Sequence, residues 1–379
     1  MKKRGLKAGL FFIIFLCVFG AATMGVVAQE QKMPDEYKDY LDALPDSVVD
    51  ELPDGARSED TQKVSDAVSE MSGVEFLLSA LFTSLGKGVS EILPHVALLV
   101  GVILVSAIGA LLATHMSPST SGVIELCSKL SVFLVIGKVS ISVLEDFRSF
   151  FSSLGGVIAA FIPLSATLYT MGGNIGSAAK SGSGLLLVLG IVEFISGVVV
   201  IPLFCFCLIM SMVGSMTATV GVGGMGASVK KIFLGALGVI SMILSMSLST
   251  QTLIASKADN LAMKGARMFL GGIPVTGGAV SSGIGTLASS VELIRGVVGI
   301  GGIIVVMLML LPIIIELLLI RLVYMLLSNF AGALGMSGEQ RMLSEISELY
   351  GILEGVSIMC SAIFVIAMAV LCKSSAAIG

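Results

Sequence analysis

Five ionisable residues sit inside long apolar runs of this chain: Lys129, Lys138, Glu193, Glu316 and Arg321. A charge held in hydrocarbon costs roughly 3 kcal/mol or more unless it is paired, protonated or in contact with water. Such residues therefore pair, snorkel to an interface or line a polar path. Lys129 and Lys138 are nine positions apart, about 180° on a helix, so they cannot face one partner. One is expected to pair with Glu193 or Glu316 while the other snorkels, and Arg321 lies far enough along its run to snorkel too. Two readings stay open: structural charges that are paired or snorkelling, and a water-lined path through a helical bundle.

Glu316 stands out by its setting. Apolar residues run from Val297 to Leu327 with only Glu316 and Arg321 as charges. As a helix those 31 residues span roughly 46 Å, against about 30 Å of hydrocarbon. Pro312, in the middle of the run, removes a backbone donor and clashes with the turn before it, so a kink is expected there, one turn before Glu316. Upstream, Phe269-Leu-Gly-Gly-Ile-Pro-Val-Thr-Gly-Gly278 makes Gly271, Gly272 and Pro274 a candidate broken-helix region, because glycine tolerates close backbone approach and positive φ.

Enzyme motifs fail on their context. Gly221-Val-Gly-Gly-Met-Gly226 has the spacing of a dinucleotide loop but no βαβ unit around it. Gly137-Lys-Val-Ser140 lacks the upstream glycine of a phosphate-binding loop. Gly335-Met-Ser-Gly338 looks like an intramembrane serine protease motif, yet the only histidines, His95 and His115, lie far upstream at the two ends of one helix, leaving the serine without a base. Two histidines make a metal site a poor expectation, and Cys205 and Cys207 point to different sides of a helix. Neither a catalytic residue, a metal nor a cofactor is expected. Gly172/Gly176 and Gly351/Gly355 have the GxxxG spacing of close helix packing.

The elements that must position these residues are membrane helices. Of 379 residues, 55% are hydrophobic and 13% charged, where soluble domains carry about 25% charged. The 45 glycines suit a closely packed bundle. The expected fold is an all-α polytopic membrane protein, its helices kinked or broken at Pro202, Pro274 and Pro312. The net charge of −4 hides an acidic stretch over 35–75, and no basic patch for nucleic acid exists. Six cysteines lie in or at the ends of apolar runs and read as buried, unpaired packing residues.

In chain order, residues 1–28 read as a cleaved signal, with Lys2, Lys3, Arg4 and Lys7 ahead of an apolar stretch and Val26-Val27-Ala28 at the cleavage site. Residues 29–73 read as an acidic, partly ordered extracytoplasmic arm, and 74–91 as an amphipathic interfacial helix. The membrane domain, 92–379, holds seven candidate spans: 92–113, 123–143, 154–171, 184–213, 232–255, 297–327 and 352–372. With the arm outside and all seven crossing, the loop 256–296 with Lys257, Lys264, Arg267 and Arg295 is cytoplasmic. The acidic loop 328–351 with Glu339, Glu345 and Glu348 then faces outward.

An internal echo is present. Ile162-Pro163 and Ile273-Pro274 each open a Gly/Ser-rich stretch, and each precedes another mid-membrane proline, by 39 and 38 residues. Chance spacing and an inverted repeat both account for it.

The whole arrangement resembles the stage III sporulation protein AE family. The resemblance is carried by the signal, the acidic arm, the Gly-rich membrane segments, the 269–278 stretch, Gly296-Val-Val-Gly-Ile-Gly-Gly302 and the Pro312 helix. It implies a multi-pass component of the mother-cell membrane facing the forespore. There it would act with other stage III sporulation membrane proteins and a partner ATPase in a channel or secretion-like apparatus. A stand-alone secondary transporter and a non-transporting membrane scaffold are the alternative readings.

Overall fold

The computed structural model describes residues 32–113, 115–171, 194–216 and 277–373, with single positions at 190 and 235. The expected signal, Glu193, Gly271, Gly272, Pro274 and the glycine loop at 221–226 lie outside the described residues. Helices make up the described chain, with one β-bridge between Lys32 and Asp60.

The arm is folded. Met33 N–H donates to the Glu59 carbonyl at 2.8 Å, and between these two points run α1 (Glu36–Asp42), α2 (Asp46–Val49) and a 3-10 turn, Asp54–Arg57. Helix α3 (Thr61–Met71) follows, its first turn capped by Asp60, whose carboxylate accepts from the Gln62 N–H at 2.9 Å. Prolines 45 and 53 precede the second helix and the turn in extended backbone, the conformation their rings favour. The acids punctuate the outside, while Tyr37, Tyr40, Leu44, Val48, Leu52, Val64, Val68 and Met71 are buried. This corrects the expectation of a partly ordered arm: the apolar residues between the acids recur at helical spacing and bury against the membrane helices. Tyr40 meets Phe161 edge-on, ring centroids 5.8 Å apart; Thr167 Oγ1 donates to Glu36 at 2.9 Å; Val68 reaches Gly301, where an added Cβ would sit 3.3 Å away. Within the arm, Glu59 pairs with Lys32 at 3.0 Å and with Lys38. The hydrogen bond from Lys38, followed by that from Lys32, holds the Glu59 carboxyl down at about 2.

Helix α4 is Val74–Ala113, with Pro94 inside it. Its first half is divided lengthwise. Ala80, Ser84, Gly88 and Ile92, four residues apart, are buried, while Val74, Leu78, Phe82, Leu85, Val89 and Leu93 form an exposed apolar stripe. Glu75, Ser79, Thr83, Lys87 and Ser90 are exposed on the remaining side. An interfacial helix separate from a span at 92 is not what forms: the backbone is continuous from one to the other.

Helix α5, Pro118–Met171, is uninterrupted for 54 residues and passes through Pro163. Segments 123–143 and 154–171, expected as two crossings, thus run in one direction on one helix. At 1.5 Å per residue its contour is about 81 Å, more than twice a hydrocarbon layer even when tilted, so it extends beyond the bilayer. The polar stretch Glu145-Asp146-Phe147-Arg148 reads as a loop by hydropathy, yet Phe147, Phe150 and Phe151 bury and keep it helical.

A π-helical turn, Phe194–Val200, leads into α6, Ile201–Met216, with Pro202 in its first turn, where the missing donor costs least. Helix α7, Gly277–Ala333, is continuous through Pro312, and α8 is Ser337–Lys373. Of the expected loop 256–296 the described part, 277–296, is helix, and the expected loop 328–351 is mostly helix. Among the described residues, four helices are long and apolar enough to cross a membrane: those at 74–113, 120–171, 197–214 and 296–333.

The arm packs on Val297 to Val305 and on Phe161 to Thr167. It therefore lies at the N-terminal end of the α7 span, about 45 Å of helix from Gly335. The arm and the 328–351 region cannot both face outward, which corrects the expected topology: an outside arm places the α7–α8 turn inside.

Candidate functional site

Helices α7 and α8 form an antiparallel hairpin closed by one glycine. Gly335 has φ +79°. Met336 N–H donates to Ala331 O at 3.0 Å and Gly335 N–H to Gly332 O at 3.0 Å. These are the paired bonds of a Schellman motif, which needs a left-handed residue at that point. Gly335-Met-Ser-Gly338 is thus a helix stop and restart. Next to the turn, Ser328 Oγ donates to the Gln340 carbonyl at 2.8 Å, which fixes the register of the two helices.

That register brings Arg321 over Gly351. An added Cβ on Gly351 would stand 3.0 Å from the guanidinium carbon, so the missing side chain makes the room for Arg321 to cross. Arg321 Nη1 then donates to Glu354 Oε2 at 2.9 Å, and Ser347 Oγ donates to the Arg321 carbonyl at 3.1 Å. Arg321 is paired rather than snorkelling. Gly355, the other member of the GxxxG spacing, has nothing within 4 Å among the described residues. Glu354 was not among the charges singled out from the sequence, although it lies in the 352–372 run; a count of every acid in that run finds it.

One turn before the ion pair lies an aromatic and hydroxyl cluster. Tyr324 and Tyr350 stack with centroids 5.3 Å apart, and Phe204 of α6 meets Tyr350 edge-on at 5.4 Å. Ser140 Oγ of α5 and Tyr350 Oη share a hydrogen bond of 2.9 Å. Tyr350 is fully buried, so four helices converge on it.

Of the remaining described charges, Lys129 and Lys138 do not join this centre, whereas Glu316 acts electrostatically on Tyr350. Lys129 pairs with Glu125 at 2.7 Å, one turn back on its own helix, rather than with Glu316. Lys138 is exposed. Glu316 interacts electrostatically with Asp146 of α5 and Glu91 of α4, both acids, so it has like-charged neighbours where a cation was expected. Gly88 lets α4 approach there: an added Cβ would stand 3.0 Å from Ile315. Pro312 is exposed, one turn from Glu316. Cys207 and Cys360 are buried as expected, but Cys127 and Cys205 are exposed. Among the described residues no cluster of His, Cys, Asp or Glu has the makings of a metal site.

A bundle of apolar helices with an internal ion pair and a buried tyrosine centre, carrying a folded polar arm at one end, defines a multi-pass membrane protein. A match to the family described as stage III sporulation protein AE covers residues 62–375, and the chain belongs to that family. The match takes in α3 from Gln62 onward and the described helices α4 to α8. No curated protein and no solved structure matches the chain.

Proposed function

We propose that this stage III sporulation protein is a non-enzymatic membrane subunit of a conduit or secretion-like apparatus between mother cell and forespore. The family match over 62–375 carries this reading. The bundle supports it, because charges are built into its interior at a cost that a plain anchor has no reason to meet. In this reading the protein sits in the mother-cell membrane with its arm extracytoplasmic. The exposed acids of the arm, Asp35, Asp39, Asp42, Asp46, Asp50 and Asp54, are available to other stage III sporulation membrane proteins. Energy comes from a partner ATPase, since the sequence carries no phosphate-binding loop.

Deletion of the gene tests this. Vegetative growth should be unchanged and forespore development should halt after engulfment begins. Slow vegetative growth with normal spores, together with solute flux by the protein alone in liposomes, would replace the conduit by a stand-alone transporter.

A further inference from the structure

Helix α8 carries Ser347, Tyr350, Glu354, Ser357 and Ser361, spaced alternately three and four residues apart, and all five are buried. That spacing keeps them in one stripe, about 21 Å long at 1.5 Å per residue. Buried faces in membrane bundles are filled mainly by apolar and small side chains. Here a polar stripe runs for four turns along the buried side, beside the equally buried Leu353, Val356 and Cys360.

The first three residues of the stripe are satisfied by the Arg321 carbonyl, Ser140 and the Arg321 guanidinium. The last two are not. Ser357 Oγ and Ser361 Oγ are buried without a hydrogen-bond partner, and so is Ser211 Oγ on α6, two turns from Phe204 on the same face. Serines elsewhere in these helices bond back to their own backbone: Ser131 to the Cys127 carbonyl and Ser165 to the Ile162 carbonyl, each at 2.8 Å. That bond is open to any helical serine, and these three do not make it. An unmet buried hydroxyl is costly, so their partner is a species that the described residues do not supply.

The chemistry of the stripe selects that species. Each hydroxyl both donates and accepts; it carries no charge, and the adjacent charges of Arg321 and Glu354 cancel. A metal ion or an anion would find no charged ligand set, whereas water needs only two to four polar partners. We propose that the α8 stripe is a water-holding seam, in which water bridges Ser357 and Ser361 and continues to the Arg321–Glu354 pair. The seam gives the membrane bundle a hydrated track along α8, and it does not depend on the conduit reading.

X-ray radiolysis of the full-length protein in lipid nanodiscs tests it, since hydroxyl radicals formed from bound water oxidise the side chains beside that water. Ser357→Cys and Ser361→Cys place reactive thiols in the stripe with little change of volume. Val356→Cys places one at an equally buried position off the stripe. Residue-level mass spectrometry should show oxidation at 357 and 361 at least about tenfold faster than at 356, as bound water requires. Adding Ser357→Val to Ser361→Cys should lower the rate at 361 to that at 356. Equal slow rates at all three positions in proteins that melt like the wild type would show a dry seam and overturn the proposal. A rate at 361 unchanged by Ser357→Val would overturn the bridging.

Discussion

Arg321 and Glu354, 33 positions apart, form a 2.9 Å ion pair between α7 and α8, and the two partners are unequally buried: the Arg321 side chain is 48% exposed and that of Glu354 12%. Removing the arginine strands a buried carboxylate. Removing the acid leaves a guanidinium that can turn outward. We expect Arg321→Ala to destabilise by about 2–4 kcal/mol and Glu354→Gln by about 1, because the cost of breaking such a pair falls on the partner left buried. The double variant should recover most of the loss, a coupling measurable by thermal unfolding in detergent. Equal effects of the two single changes would contradict the asymmetry.

Tyr40 anchors the arm, yet its hydroxyl is buried without a hydrogen-bond partner. The ring stacks on Tyr37 and meets Phe161. Tyr40→Ala should cost about 3–5 kcal/mol and make the arm sensitive to protease in membranes. Tyr40→Phe should be neutral or stabilising by up to about 1 kcal/mol, because it removes an unmet polar atom. Damage from Tyr40→Phe would show that the hydroxyl is used.

Glu59 ties Lys32 and Lys38 to the start of α3. Its carboxyl is lowered from 4.5 to about 2, chiefly by the hydrogen bonds from the two lysines. A depressed acid stabilises the folded arm above its ordinary value, and that contribution is lost as pH falls from about 4.5 through about 2. Protease resistance of the arm should therefore decline over that window in the wild type. Glu59→Gln should be less resistant at neutral pH and should lose the pH dependence that this carboxyl contributes. A variant whose pH profile matches the wild type would assign the transition to other acids.

The arm and the α7–α8 turn lie at opposite ends of the α7 span. Asp39→Cys on the arm and Ser344→Cys on α8, both at exposed positions, should react from opposite sides of the membrane. With the arm outside, an impermeant thiol reagent on intact cells should label position 39 and spare 344 until the membrane is opened. Labelling of both from outside would refute the packing of the arm on Val297 to Val305.

Composition and hydropathy alone determined that this is a multi-pass helical membrane protein, since runs such as 297–327 have no other solvent. The order of the segments was enough to point to the family. Glu316, Arg321 and Pro312 were visible as costly residues because their neighbours are apolar. Hydropathy judged each window by its own composition, however, and so broke α5 at Glu145 to Arg148, where buried phenylalanines hold the helix together. It likewise read 328–351 as a loop, although Gly335 alone makes the turn. Which charges pair was decided only by the tertiary structure, because pairing depends on the phase and register of two helices. Those are set by the left-handed residue at 335, by the space over Gly351 and by the docking of an arm whose packing surface lies more than a hundred residues away in the chain.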